Sequence, residues 1–155
     1  MCKKNWEVLK RCKARYENKL EYLYIAASQI DKKIKIGITV NIEKRLNQIK
    51  KEEYAALQGW QIVYYLKSNK ANKLEDETLK NTKLYKCIGK YYKNGKLRDS
   101  REARSCNYKT IKSALEIAKE EVKKIYLDTV FIETWETPNA EQLFNFENLK
   151  NTAKR

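Results

Sequence analysis

The chain has 155 residues and a net charge of +14, from 34 lysines and arginines against 20 aspartates and glutamates. This length predicts one folded domain with short appendages, and the longest apolar run, YLYIAAS, is far shorter than the ~20 residues of a membrane-spanning helix. The sequence contains no histidine, which excludes Ser-His-Asp catalysis, Cys-His catalysis and an imidazole general base.

The first half of the chain predicts a helix, a β-hairpin and a second helix. A short basic helix is expected over 4–18. Strands over 22–26 and 34–38 follow, and the second alternates with period two, so its isoleucines share one face. Asn41 is the expected N-cap of the next helix, because its side-chain oxygen can accept from a free backbone N–H. Three apolar residues then recur at helical spacing: Ile42, Leu46 and Ile49.

The second half continues the alternation of strands and helices. In chain order we expect a strand over 61–66, a helix over 71–82, a tight turn at 94–95, an amphipathic helix over 111–125, a strand over 129–135 and a terminal helix over 139–149. Together the elements predict a mixed α+β fold with a small, three-stranded antiparallel sheet at its centre. Helices flank this sheet, and a strand and a helix form a C-terminal extension.

Charge is distributed unevenly over three expected units, a basic helix at 1–19, a central domain at 20–125 and an acidic extension at 126–155. The last thirty residues have a net charge of −2 and the other 125 residues a net charge of +16, which together give +14. Residues 80–112 are densest, with eleven basic residues, two acidic ones and interleaved tyrosines. This clustering predicts a nucleic-acid partner. A solvated, lysine-rich surface is the alternative interpretation.

The cysteine pattern and the N-terminal segment indicate the compartment. Cys2, Cys12, Cys87 and Cys106 contain no C-x-x-C pair, which argues against a zinc site and fits a reducing cytosol. The N-terminal residues lack the apolar stretch of a secretory signal, so we expect a cytoplasmic protein with no membrane partner.

Short motifs follow one another in a characteristic order through the central domain. They are Tyr22-Leu23-Tyr24, Lys35-Ile36-Gly37, Thr39, Arg45, Leu74-Glu75 and Ser100-Arg101-Glu102. This order resembles the GIY-YIG nuclease superfamily, and more narrowly its phage-associated, T5orf172-like branch, whose second motif reads K-I-G-x-T. The resemblance covers about residues 20–120.

The resemblance implies an active site built from two strand tyrosines, a helix arginine and a metal-binding glutamate. By position, Tyr24, Arg45 and Glu75 fill three of these places, with Glu75 as the metal ligand and Mg²⁺ or Mn²⁺ as cofactor. Lys35 stands where the second tyrosine is found, and we include it among the catalytic residues. The histidine that many members carry one turn after the arginine is absent, and Ile49 lies near its place.

These groups are chemically sufficient for phosphodiester hydrolysis. Arg45 would bind the non-bridging oxygens, a metal ion on Glu75 would stabilise the leaving oxygen, and Tyr24 would orient or deprotonate water. An ordinary tyrosine has a pKa of about 10, and we expect Lys35 and Arg45 to lower the pKa of Tyr24.

The same residues also have purely structural interpretations. Tyr24 is then packing, Lys35 lies on the solvated face of a hairpin, and Arg45 is a surface cation. Glu75 competes with two acidic neighbours for the metal-binding role. Gly37 within a strand indicates either a bulge or a close approach by backbone or ligand.

The expected substrate is double-stranded DNA. Six basic side chains are predicted as a group to contact its phosphates: Lys90, Lys93, Lys96, Arg98, Arg101 and Arg104.

Three functions remain open. The first is a metal-dependent DNA endonuclease or nickase of phage or mobile-element origin, in which one site per chain cuts one strand and a double-strand break needs a homodimer or a second visit. The second is a DNA-binding module that has kept the fold without the chemistry. The third is a protein-interaction role of the acidic extension, which contains Trp135.

Overall fold

The computed structural model describes residues 19–87, 90–93 and 95–146. The helix predicted over 4–18 and the end of the helix predicted over 139–149 lie outside these ranges. No helix among the described residues is long and apolar enough to span a membrane.

Seven strands lie within the described ranges. They are β1 (Glu21–Ser28), β2 (Lys33–Thr39), β3 (Trp60–Ser68), β4 (Lys90–Lys93), β5 (Lys96–Asp99), β6 (Ala103–Arg104) and β7 (Phe131–Glu136). Five of them form one antiparallel sheet in the order β6-β2-β1-β3-β7, and β4 and β5 form a separate hairpin. Gly95 in the turn of this hairpin has φ 76°, a conformation that glycine adopts without strain.

Helices cover both faces of the sheet. They are α1 (Ile42–Glu52), α2 (Ala71–Asn81), α3 (Tyr108–Ile125) and the short α4 (Ala140–Leu143), with 3-10 turns at Tyr54–Ala56 and Lys83–Tyr85. The predicted N-cap is confirmed, because the side chain of Asn41 accepts a hydrogen bond of 3.0 Å from the backbone N–H of Lys44.

The predicted α+β class is confirmed, but the sheet has five strands and not three. β6 contributes only two residues, which is too short for a periodic pattern. β7 is the strand predicted near 129–135, and it joins the sheet by pairing with β3. The terminal helix is shorter than predicted within the described residues, where α4 ends at Leu143.

The central hairpin separates an aliphatic face from a polar face, which carries buried polar groups beside the aromatic side chains of a second hydrophobic cluster. Leu23 and Ile25 of β1 lie beside Ile34 and Ile36 of β2 in a core that α2 and α3 cover, and all four are fully buried. The predicted sharing of one face by the isoleucines is therefore confirmed. Successive side chains alternate, so Lys35 and its neighbours project from the opposite face.

Candidate active site

Lys35 is buried on the polar face of the hairpin. Its side chain is 3% exposed and forms an ion pair with Glu102, whose side chain is 30% exposed. The ammonium also lies over two aromatic rings, with Nζ 4.4 Å from the centroid of Tyr54 and 5.4 Å from that of Tyr24. The interpretation of Lys35 as part of a solvated hairpin face is therefore wrong.

Burial by itself lowers the pKa of this lysine, but the pKa is nevertheless raised above its ordinary value by Tyr24, Glu102 and Tyr54. Lys35 is therefore a cation at neutral pH. A fixed positive charge with both aromatic and carboxylate neighbours lies at the centre of the site.

The segment that carries Glu102 is held against β2 by main-chain contacts. The Glu102 N–H donates to the hydroxyl of Tyr54 at 3.1 Å, and its carbonyl accepts from the Ile36 N–H at 3.4 Å. The next residue, Ala103, pairs with Lys35 across β2 and β6. These contacts fix the position of the carboxylate that neutralises Lys35.

Gly37 is required by the ring of Tyr24. The two residues are partners across β1 and β2, and Tyr24 is 1% exposed. A Cβ atom added at Gly37 would lie 2.6 Å from the Tyr24 hydroxyl oxygen. The close approach at this glycine thus comes from the predicted catalytic tyrosine itself.

The pKa of Tyr24 is raised, which contradicts the predicted lowering. Burial is the largest cause, and Glu102 also raises it, whereas Lys35 and Arg45 lower it. The sequence showed the two cations but not the burial that outweighs them. At neutral pH Tyr24 therefore carries its proton and can both donate and accept a hydrogen bond.

Arg45 lies on α1, directly after β2, and is half-buried. Its Nη2 lies 3.5 Å from the carbonyl oxygen of Ile38, and its Nε is buried without a hydrogen-bond partner among the described residues. Because its charge acts on Tyr24, the guanidinium belongs to the same site. It retains donor capacity for an anion.

Glu75 on α2 supplies the third predicted site residue. Its Oε2 atom is buried and has no hydrogen-bond partner within the described part of the chain. Burial, followed by the charge of Glu102, raises the pKa of Glu75 to about 7, against the lowering effects of Lys35 and Arg101. The charge of Lys35 thus acts on both Glu75 and Tyr24, and that of Arg45 acts on Tyr24.

The acidic groups of the candidate site fit a lightly coordinated cation. The described residues contain no cluster of three or more Cys, Asp or Glu side chains that could hold a metal ion. Mg²⁺ commonly uses only one or two carboxylates and takes its other ligands from water and substrate phosphate. The partnerless Glu75 oxygen, with Glu102 nearby, fits this type of site.

The family of the chain follows from a direct comparison of its sequence. Residues 21–128 match the family profile of the T5orf172 domain. The chain belongs to the T5orf172 domain family. Neither the curated proteins nor the solved structures give a match to this sequence. The T5orf172 domain is of a nuclease-like or DNA-binding type, and it includes all four predicted catalytic residues, whereas β7 lies beyond it.

The basic residues predicted to contact DNA are distributed unequally within the T5orf172 domain. Lys96 and Arg101 are exposed, and the side chains of Lys90, Lys93 and Arg98 lie outside the described part of the structure. The prediction is corrected at Arg104, which is 3% exposed. Its guanidinium donates to Thr82, Leu79 and nearby carbonyls, so it has a structural role.

Sequence reasoning missed two residues that shape this site of the T5orf172 domain. Glu102 stood in the Ser-Arg-Glu motif, but the resemblance gave it no role. Tyr54 follows α1 and carries no pattern that would single it out. Both are identified only by their contacts with Lys35.

Proposed function

We propose that this protein is a metal-dependent DNA endonuclease that nicks one strand at each binding event. The observation that carries this proposal is the partnerless, buried carboxylate oxygen of Glu75, on which the charge of Lys35 acts. Hydrolysis of a phosphodiester needs positive charge around the phosphate and an oriented water, and the site offers groups for both.

Each side chain has a definite role in the proposed reaction. The Arg45 guanidinium neutralises the negative charge that develops on the non-bridging oxygens, whereas Lys35, buried and paired with Glu102, holds the ring of Tyr24 in place. The protonated Tyr24 hydroxyl orients the attacking water by hydrogen bonding. Glu75, with Glu102 beside it, would hold Mg²⁺ or Mn²⁺, which supplies Lewis-acid stabilisation of the leaving oxygen when bound.

Conversion of supercoiled plasmid tests this proposal. Purified wild-type protein, Glu75→Ala and Asp76→Ala are each incubated with plasmid or phage genomic DNA in Mg²⁺, Mn²⁺ or EDTA. Asp76 is the matched control, since it is the exposed acidic neighbour of Glu75 on the same helix. We expect open circles from wild type and Asp76→Ala with a divalent metal, and at least about 100-fold slower nicking by Glu75→Ala. Cutting by Glu75→Ala at the wild-type rate would refute the role of Glu75.

The raised pKa of Tyr24 favours a second candidate, a DNA-binding module without catalytic activity. A protonated tyrosine and a lysine in place of the second tyrosine would then be structural. This candidate predicts that no DNA substrate is cut with either metal, while DNA affinity falls linearly on a plot of log affinity against log salt. Any metal-dependent nicking that Glu75→Ala abolishes rules it out.

A further inference from the structure

A row of aromatic side chains extends from the candidate active site to the edge of the sheet. Tyr24 on β1 pairs directly with Tyr65 on β3, and Tyr65 pairs directly with Trp135 on β7. Directly opposed residues project from the same face of a sheet. The rings of Tyr65 and Trp135 are stacked, with centroids 5.6 Å apart and planes at 21°.

The row becomes progressively more exposed towards the edge. Tyr24 is 1% exposed, Tyr65 is partly buried against the second hydrophobic cluster, on the polar face, and Trp135 is 40% exposed. β7 is the outermost strand of the described sheet, so Trp135 ends the stack. A large aromatic ring left accessible at the end of a stack offers a π-surface to a ligand.

Neighbouring contacts hold these rings in place. Tyr22 packs edge-on against Tyr65 with a centroid distance of 5.4 Å, and the hydroxyls of both tyrosines donate to Glu133 at 3.2 Å. Lys67 is the cross-strand partner of Glu133, and its ammonium lies 5.3 Å from the Tyr22 centroid. The local charges of this pair balance, so the surface suits an uncharged aromatic group and not a phosphate.

We propose that Tyr65 and Trp135 form a stacking site for an unpaired nucleobase of the substrate strand. This deepens the proposed function and rests on it, because the strand concerned is the one whose phosphate lies at Tyr24. Two strand spacings, about 10 Å, separate the backbones of Tyr24 and Trp135. That distance corresponds to roughly three stacked nucleotides. Every base has a π-face, so such a site binds single strands with little sequence preference.

A second copy of the chain is the other group that an exposed edge strand could recruit. The acidic side chains of Glu133 and Glu136 lie on β7 itself, and charged residues on an edge strand disfavour its pairing with another strand. The observations therefore favour the nucleobase over a β7–β7 dimer.

Binding in EDTA tests the stacking site independently of cleavage. The affinity of the full chain for a labelled oligothymidylate is measured by fluorescence anisotropy and compared with that for an abasic strand of equal length. We expect Trp135→Ala to weaken binding to the oligothymidylate about 10-fold and to leave binding to the abasic strand unchanged. Trp135→Phe should retain most of the affinity. Ile132→Ala is the matched control, since Ile132 is 57% exposed on the same strand but outside the aromatic row.

The outcomes separate this proposal from the proposed function. If Trp135→Ala loses equal affinity for the oligothymidylate and the abasic strand, or loses none, the stacking site is overturned even if plasmid is nicked. If Trp135→Ala loses affinity only for the oligothymidylate and the wild-type protein cuts no DNA, the stacking site is supported and only the proposed endonuclease activity is refuted. Unchanged oligonucleotide affinity together with a shift in oligomeric state on size-exclusion chromatography would assign Trp135 to a dimer interface instead.

Discussion

The two faces of the β1–β2 hairpin are built from alternating residues of the same strands, yet they have opposite chemistry. Ile34 and Ile36 pack into a mainly aliphatic core, whereas Lys35 between them is buried with a carboxylate and two phenol rings. Neighbouring residues of one strand thus serve different purposes, since the isoleucines stabilise the fold and the lysine belongs to the candidate active site. Burial alone therefore does not distinguish a core position from a site position.

The energetic demands of the two faces also differ. Complete burial of each aliphatic side chain contributes about 1.5–3 kcal/mol to folding. Removing an ammonium from water costs several kcal/mol, but the pKa of Lys35 is raised, so its ion pair with Glu102 and its aromatic neighbours outweigh this cost for the charged form. The aliphatic face is stabilised by burial of apolar area, whereas the charge on the other face depends on these specific partners.

The largest effect is expected when the positive charge of Lys35 is removed. Lys35→Met leaves the Glu102 carboxylate without its partner, so we expect a loss of about 3 kcal/mol in the free energy of unfolding. We also expect the loss of metal-dependent nicking. Urea denaturation measures the first effect and plasmid conversion the second.

The double variant Lys35→Met/Glu102→Gln is the control for the unpaired charge. It removes both charges, so we expect it to recover most of the lost stability while remaining inactive. If the double variant is no more stable than Lys35→Met, the cost arises from packing and the ion pair is not responsible.

A second effect depends on pH, and here the substitution stabilises the protein instead of destabilising it. Because the folded-state pKa of Glu75 is raised from 4.5 to about 7, wild type loses stability as pH rises between these values. Glu75→Gln does not titrate, so we expect it to be more stable than wild type by up to about 3 kcal/mol at pH 8 and no more stable near pH 4. Thermal unfolding across this pH range measures the difference.

Added Mg²⁺ sharpens the same experiment. A cation that binds the Glu75 carboxylate raises the Tm of wild type at pH 8 and leaves the Tm of Glu75→Gln nearly unchanged. An equal response of the two proteins would show that Glu75 is not the cation ligand.

The smallest effects compare neighbouring positions on opposite faces. Gly37→Ala places a methyl group against the Tyr24 hydroxyl, so we expect a cost of about 1–3 kcal/mol and at least about 10-fold slower nicking. Ile36→Val should cost about 0.5–1.5 kcal/mol and leave the rate unchanged. Equal nicking rates for Gly37→Ala and Ile36→Val would contradict the assignment of the candidate active site to one face of the hairpin and of the stabilising core to the other.

Local sequence patterns were sufficient to predict much of the fold. The period of two in β2, the cap at Asn41 and the apolar stripe of α3 are set by residues close together in sequence, and all three were predicted. The five-stranded sheet was not, because β6 is only two residues long and the pairing of β7 with β3 joins distant segments. Hydrophobic periodicity carries no information on such long-range pairing.

The candidate site, like the fold, was predicted from the sequence only in part. Motif order selected Tyr24, Lys35, Arg45 and Glu75, and in the structure the charge of Lys35 acts on both Tyr24 and Glu75 while that of Arg45 acts on Tyr24. Their electrostatics could not be read from the sequence, because the pKa of Tyr24 is decided by its burial and not by the cations beside it.

The ion pair that neutralises Lys35 joins residues 67 positions apart in the chain. During synthesis, β1 and β2 can therefore leave the ribosome and pair while the ammonium of Lys35 still has no counter-ion. The counter-ion arrives only after most of the domain has been translated. A nascent chain therefore has no assembled candidate site, and any cleavage activity would begin only when the domain is nearly complete.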